Sequence, residues 1–301
     1  MKNQNLVPHL WFDKEAKEAA EFYVSIFPDS SVTNNVTLND TRSGDAPIVS
    51  FKLWNQEFMA ISAGPYFRFN PSISFTVIFD PSQDENASEK MDEIWNKLAE
   101  DGKVLMPLQQ YPFSEKYGWI QDKYGLSWRL MLTKLEDRSR IMPSLLFVGD
   151  QYGKAYEAMN FYLSIFSDSE QGNVARYPQG MEFDEEGMIM FSDFRLLEQW
   201  FIAMDSGMEH SYQFNEAISF MVNCDTQEEI NYYWDKLSAV PEAEQCGWLK
   251  DKFGISWQIV PTAMGEMMST STPEQINRLN QAVLKMKKID LPTLQRIYAN
   301  K

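Results

Sequence analysis

GWIQDKYGLSWRLM at residues 118–131 and GWLKDKFGISWQIV at residues 247–260 are two copies of one motif. Each reads as a short strand entering at Trp119 or Trp248, a turn closed by Gly125 or Gly254, and a second strand carrying Ser-Trp and an apolar run. The turn glycine follows Asp-Lys-aromatic, a setting in which a left-handed backbone costs glycine little. Both copies are therefore expected to be β-hairpins.

The repetition extends upstream in the same order. FYVSIF at 22–27 is answered by FYLSIF at 161–166, and FNPSISF at 69–75 by FNEAISF at 214–220. Matched blocks in matched order mean a tandem duplication, and a duplication fixes the architecture before any single element is assigned. The chain has 301 residues, of which 44% are hydrophobic and 14% aromatic, enough for two domains with full cores.

Working outward, residues 6–12 read as a strand, and DKEAKEAAEFYVSIF carries Ala16, Ala19, Ala20, Tyr23, Val24 and Phe27 at helical spacing, with Asp13 as N-cap and Pro28 as stop. Three strands follow at 32–38, 48–54 and 57–62, the first two separated by the turn-rich 39–47, completing a βαβββ module. A second module starts at 72–79, passes through a helix ending at Gly102, and closes with the hairpin. Residues 143–261 repeat the plan, but the stretch between Leu237 and Gly247 is too short for a full strand before the hairpin. The expected fold is α+β, with domains at 1–134 and 142–262 and a helical tail at 263–301. Two short helices are expected in that tail, starting at Thr272-Pro273 and near Asp290, with the Met-rich 263–269 as linker.

Charge narrows the partners. Lys and Arg total 27 against 43 Asp and Glu, a formal net charge of −16, which repels phosphate backbones and anionic lipid surfaces. Nucleic acid and membrane are disfavoured, and the N-terminal MKNQNLVPHLWF lacks the apolar core of a secretory signal. Cys224 and Cys246 form no zinc or CxxC pattern, so a cytoplasmic protein with free thiols is expected, Cys224 inert on the helix-facing side of its strand. The acidic stretch 80–90 lacks the glycine and terminal glutamate of a calcium loop.

The residues VPHLWFDKEAKEAAEFYVSIFPDS, FNEAISFMVNCDTQEEINYYWDKL, CGWLKDKFGISWQIVP and VLKMKKIDLPTLQRIY resemble the PhnB-like branch of the vicinal-oxygen-chelate superfamily, alongside glyoxalase and bleomycin-resistance proteins. The resemblance spans nearly the whole chain. It implies pairs of βαβββ modules curling into cupped sheets, with helices on the convex face and a ligand cavity on the concave one. Such sequences often carry the description 3-demethylubiquinone 3-methyltransferase. Yet the glycines are scattered singly, and the glycine-rich turn with which a methyltransferase of the usual class holds its nucleoside cofactor is missing.

In metal-using members of the superfamily, ligands come from the first strand, from the strand matching ISF, and from a Glu four residues after the hairpin glycine. The resemblance carries these positions onto His9, Ser72 and Arg129 in the first half and onto Ser144, Ala217 and Gln258 in the second. Only His9 is a good metal ligand, and Arg129 sets a permanent cation where a carboxylate would be needed. No metal and no cofactor are therefore expected. With alternation along strands, the implied first cavity gathers His9, Trp11, Ser72, Ser74, Thr76, Ser127, Arg129 and Met131, a mixture suited to a small polar or anionic ligand. The second cavity, around Gln258, is greasier. Structural roles stand beside these: His9 as a partly buried histidine bonded to a carbonyl, Arg129 in a salt bridge, Trp128 and Trp257 as core.

The resulting reading is a metal-independent small-molecule-binding protein or an enzyme of undefined reaction, using His9, Trp11, Ser72, Ser74, Arg129 and Gln258. A metal-dependent lyase, isomerase or dioxygenase built on His9 is one alternative, and a structural or regulatory scaffold with closed cavities is another. A homodimer stays open.

Overall fold

Gly125 and Gly254 turn with φ of +84° and +90°, the left-handed conformation their position requires. The structure, a computed structural model, describes residues 4–41, 44–134 and 137–299. Part of the expected turn at 39–47, the first residues of the expected first domain and the last two of the tail lie outside the described residues.

Four modules follow one another. The first contains β1 (Leu6–Phe12), α1 (Ala16–Ile26), β2 (Ser31–Thr41), β3 (Gly44–Leu53) and β4 (Gln56–Ser62). The second contains β5 (Ile73–Phe79), α2 (Ala87–Ala99), β6 (Lys103–Tyr111), β7 (Ser114–Gln121) and β8 (Ser127–Leu132). The third runs through β9 (Ile141–Phe147), α3 (Ala155–Ile165), β10 (Ser169–Arg176), β11 (Ile189–Leu196) and β12 (Gln199–Asp205). The fourth has β13 (Ile218–Cys224), α4 (Gln227–Leu237), β14 (Trp248–Lys250) and β15 (Ser256–Pro261), with a single 3-10 turn at Pro241–Ala243 where the second module has β6. The shortened linker thus loses its strand, as expected. The tail contains α5 (Ala263–Thr270), α6 (Pro273–Val283) and α7 (Leu291–Ala299). Helix α5 corrects the reading of 263–269 as linker: its Met267 is buried in the main core, and that contact favours a helix where local pattern gave no period.

Helix starts are fixed by identifiable donors and acceptors. Helix α4 has a full capping box, with Thr226 accepting from the Glu229 amide and Glu229 reaching back, and α6 has the same device in Thr272 and Gln275. Asp13 does not cap α1. The Ala16 amide instead donates to Ser62 Oγ at 3.1 Å, from the end of β4, because β4 lies beside β1 and ends next to the helix. Asp205, at the end of β12, does the same for α3, accepting from the Gly153 and Ala155 amides.

The modules pair crosswise. A seven-stranded sheet runs β14-β15-β13-β1-β4-β3-β2, joining the fourth module to the first; an eight-stranded sheet runs β10-β11-β12-β9-β5-β8-β7-β6, joining the third to the second. The seams are antiparallel and equivalent, β1 against β13 with His9 opposite Ser219 and β9 against β5 with Ser144 opposite Ser74. Each half of the sequence therefore supplies one module to each sheet. The repeated FN blocks interlock the halves: Asn70 donates to the Gln213 carbonyl and Asn215 to the Arg68 carbonyl.

Helices cover one face of each sheet, and the helix-covered faces share one continuous core that includes Phe58, Phe75, Trp128, Phe201, Phe220 and Trp257. Trp128 and Trp257 are fully buried, the role expected for them. Cys224 is also buried, and that burial pushes its thiol up to about 12. At the centre of each half sits a buried carboxylate with four donors. Asp122 accepts from Tyr23 Oη at 2.7 Å, Trp128 Nε1 at 2.9 Å and the Tyr124 and Leu126 amides at 2.9 and 3.1 Å. Asp251 accepts from Tyr162, Trp257, Phe253 and Ile255 in the same way. Since α1 belongs to the module of one sheet and Asp122 to the hairpin of the other, each carboxylate ties the two sheets together.

Candidate functional site: the concave faces

The faces turned away from the helices carry a second set of buried polar side chains, apart from Asp122 and Asp251. On the seven-stranded sheet, register sets His9, Ser219 and Ser256 in one row across β1, β13 and β15. Gln258, beside Trp248, lies in the next. His9 is 3% exposed and its Nδ1 has no hydrogen-bond partner. The hydrogen bond to a backbone carbonyl considered for His9 is thus not made by Nδ1. Burial drives the imidazole down to about 3, so it is neutral at pH 7. The Trp248 ring meets it edge-on at 5.5 Å. Trp11 completes the cluster, 6.0 Å from Trp248, with its Nε1 donating to the Gly64 carbonyl at 2.8 Å. Gln258 is already used within the chain, Nε2 donating to Ser219 Oγ at 2.9 Å.

On the eight-stranded sheet the equivalent positions are Ser144 for His9, Ser74 for Ser219, Ser127 for Ser256 and Arg129 for Gln258. Thr76 and Ser144 share a hydrogen bond of 2.7 Å, while Ser74 Oγ, fully buried, has no partner. Trp119 donates to Ser127 Oγ at 2.7 Å and lies under the Arg129 guanidinium, 4.1 Å from ring centroid to Cζ. Arg129 is 6% exposed, and among the described residues no carboxylate pairs with it. Nη1 meets Met204 Sδ at 3.2 Å and the Tyr117 hydroxyl lies close enough to interact with the guanidinium, while Nε and Nη2 make no well-aligned hydrogen bond among the described residues. Among the described residues the salt bridge considered for Arg129 is not formed. Burial pushes the Tyr117 and Tyr212 phenols up, and the guanidinium opposes the shift in both, so both hydroxyls lie within its field.

The six candidate residues are therefore divided. His9, Trp11 and Gln258 belong to one sheet, Ser74 and Arg129 to the other, and Ser72 precedes β5 with its carbonyl taken by the Leu146 amide at 2.8 Å. A single first cavity holding both His9 and Arg129 does not form, because crosswise pairing puts β1 beside β13 instead of β5. Sequence reasoning missed Trp119 and Trp248 as face residues. Their repetition at the same place in both hairpins was the available signal.

A metal of the kind the superfamily uses does not fit these residues. Among the described residues no group of three or more His, Cys, Asp or Glu side chains is placed to hold one. The aligned positions offer one neutral imidazole with Ser and Gln on one face, and Ser with a cation on the other. Two surface clefts, of about 290 Å³ beside α4 and α7 and about 550 Å³ beside Ser62 and Tyr66, contain no unpartnered buried polar atom and are not the better site.

Comparison with known proteins agrees with this architecture. A PhnB protein from Bacillus cereus, titled a 3-demethylubiquinone-9 3-methyltransferase, is 36% identical over 43% of this chain and all of its own, with a TM-score of 0.39. Glyoxalase I from Zea mays matches 88% of this chain and 96% of its own with a TM-score of 0.55 at 8% identity, a likeness of fold. No curated protein sequence matches the chain. The family model described as 3-demethylubiquinone-9 3-methyltransferase matches residues 4–131 and again 139–260. With both halves covered, the chain belongs to that PhnB-like family, in tandem form and on the glyoxalase fold.

Proposed function

We propose that this protein binds a small molecule on the concave faces of its sheets without a metal, and that it does not transfer methyl groups from a nucleoside cofactor. The observation that carries the reading is the set of buried polar atoms left without partners on those faces: His9 Nδ1 and Ser256 Oγ on one, Ser74 Oγ with Arg129 Nε and Nη2 on the other. A buried unpaired donor costs about 1–3 kcal/mol, more when charged, so such atoms persist where something else satisfies them. The donor set argues against the metal reading, and scattered glycines argue against the cofactor turn. All strands of both sheets come from one chain. The net charge and the free thiols support a cytoplasmic setting. Among the described residues no helix is long and apolar enough to cross a membrane.

Native mass spectrometry of the purified chain, with elemental analysis of the same sample, tests the reading. A bound organic molecule without stoichiometric metal is expected, and titration with S-adenosylmethionine should give no heat. Stoichiometric zinc, manganese, nickel or iron that disappears in His9→Ala would overturn it in favour of the metal enzyme. A chain carrying neither metal nor ligand, and taking up none, would point to a closed scaffold.

A further inference from the structure

The reading above leaves the ligand undefined, and the surroundings of Arg129 define it further; this step rests on the concave faces being ligand sites. A guanidinium can be approached on its flat face or on its edges. Here the flat face is covered by Trp119, and Nη1 is directed at the Met204 thioether, a weak acceptor. The remaining edge is formed by Nε and Nη2 together, both buried and both without partners. Two parallel N–H groups on one edge match the two oxygens of a carboxylate. A buried cation without a counter-charge among the described residues is unfavourable, and an anion on that edge offsets the cost.

The neighbouring surface sets the rest of the ligand. Ile78, Met142, Trp200 and Ile202 form an apolar cluster separate from the main core, with Met131 and Met204 packed against it. Register places it beside the cation: Met142 is opposite Thr76, and Thr76 is opposite Arg129. Thioether side chains adapt to different apolar shapes. Ser74, its hydroxyl unpartnered, stands two residues before Thr76 on the same strand. The other sheet repeats none of the charge, since Gln258 replaces Arg129 and is satisfied by Ser219. A chain of net charge −16 also repels multiply charged anions more than single ones.

We propose that the concave face of the eight-stranded sheet binds an apolar carboxylic acid as its monoanion, one per chain. Its carboxylate takes the Nε–Nη2 edge of Arg129 and its hydrocarbon body lies on Met131, Met142, Ile202 and Met204. The probes are phenylacetate, octanoate, neutral phenylacetamide and inorganic phosphate, titrated calorimetrically into the full chain after unfolding, removal of any co-purified ligand and refolding. A carboxylate should bind once per chain and at least about tenfold more tightly than the amide, the scale of a charged hydrogen bond. Arg129→Gln should remove that preference, bringing acid and amide to similar affinity. Arg129→Lys, which keeps charge but loses the fork, should recover only part of it, and decides the matter if the Gln variant does not fold.

Equal binding of acid and amide, tighter binding of phosphate, or full affinity in Arg129→Lys would each overturn the proposal. If native mass spectrometry shows a bound neutral compound while the carboxylates fail, the ligand class is wrong and the concave-face reading survives. If no probe binds and nothing co-purifies, the concave-face reading itself falls.

Discussion

Replacing Asp122 by Asn should alter stability in a way that depends on pH. The carboxylate is 3% exposed and receives hydrogen bonds from Tyr23, Trp128 and the Tyr124 and Leu126 amides. Burial nevertheless pushes it up to about 6, because removing the charged form from water outweighs those donors. An unfolded chain titrates the same group near 3.9. Between about pH 4 and 6 the native state therefore holds a proton that the unfolded state releases, so this group stabilises the fold below pH 4 and loses that contribution as pH rises through 6. Two units at 1.36 kcal/mol each give up to about 3 kcal/mol. The protonated form is accommodated by the Tyr23 hydroxyl, which can turn from donor to acceptor. Asn does not titrate, and its amide nitrogen would face the Trp128 N–H, a mismatch of about 1–3 kcal/mol at any pH. Urea unfolding of both proteins at pH 7, 6, 5 and 4 isolates the effect, since all other titrating groups cancel in the difference. The advantage of the wild type should grow by up to about 3 kcal/mol from pH 7 to pH 4. A constant or shrinking difference would refute the reasoning.

Tyr23→Phe and Tyr162→Phe remove equivalent donors to Asp122 and Asp251. Each should cost about 1.5–3 kcal/mol in urea melts, and similar losses are expected because the two sites are copies. Gly125→Ala meets no atom within 4 Å, so its cost is backbone strain alone, about 1–2 kcal/mol by thermal unfolding. Thr226→Ala deletes half of the α4 capping box and should lower stability by about 1 kcal/mol, whereas Thr226→Ser should not.

The modules themselves were legible because their signals are local. Alternation marks Ile73–Phe79, helical spacing marks Ala16–Ile26, and the repeated hairpin glycines mark the turns. The missing strand before β14 was legible from a linker length. Which module partners which was not, since the pairing of β1 with β13 depends on shape across most of the chain and leaves no local trace. The same gap misplaced the site, joining His9 to Arg129 when His9 pairs across a seam with β13 of the other half and Arg129 lies on the other sheet, opposite Thr76 of its own half. The Asp122 and Asp251 knots were missed too, although Tyr23, Asp122 and Trp128 recur as Tyr162, Asp251 and Trp257. A residue trio preserved through a duplication could have been read as one unit.

Crosswise pairing also orders events on the ribosome. The second and third modules are neighbours in the chain, so β5 and β9 can join as soon as both have emerged. Strand β1, first to appear, has to wait for β13, whose Ser219 faces His9. At about 5–20 residues per second, that wait lasts on the order of ten to forty seconds. Throughout it one edge of β1 and the polar row around His9 are uncovered, and the β13 of a neighbouring nascent chain is as good a partner as its own. Intermolecular exchange of the fourth module is the misassembly this order of synthesis favours, and closely spaced ribosomes on one message should increase it.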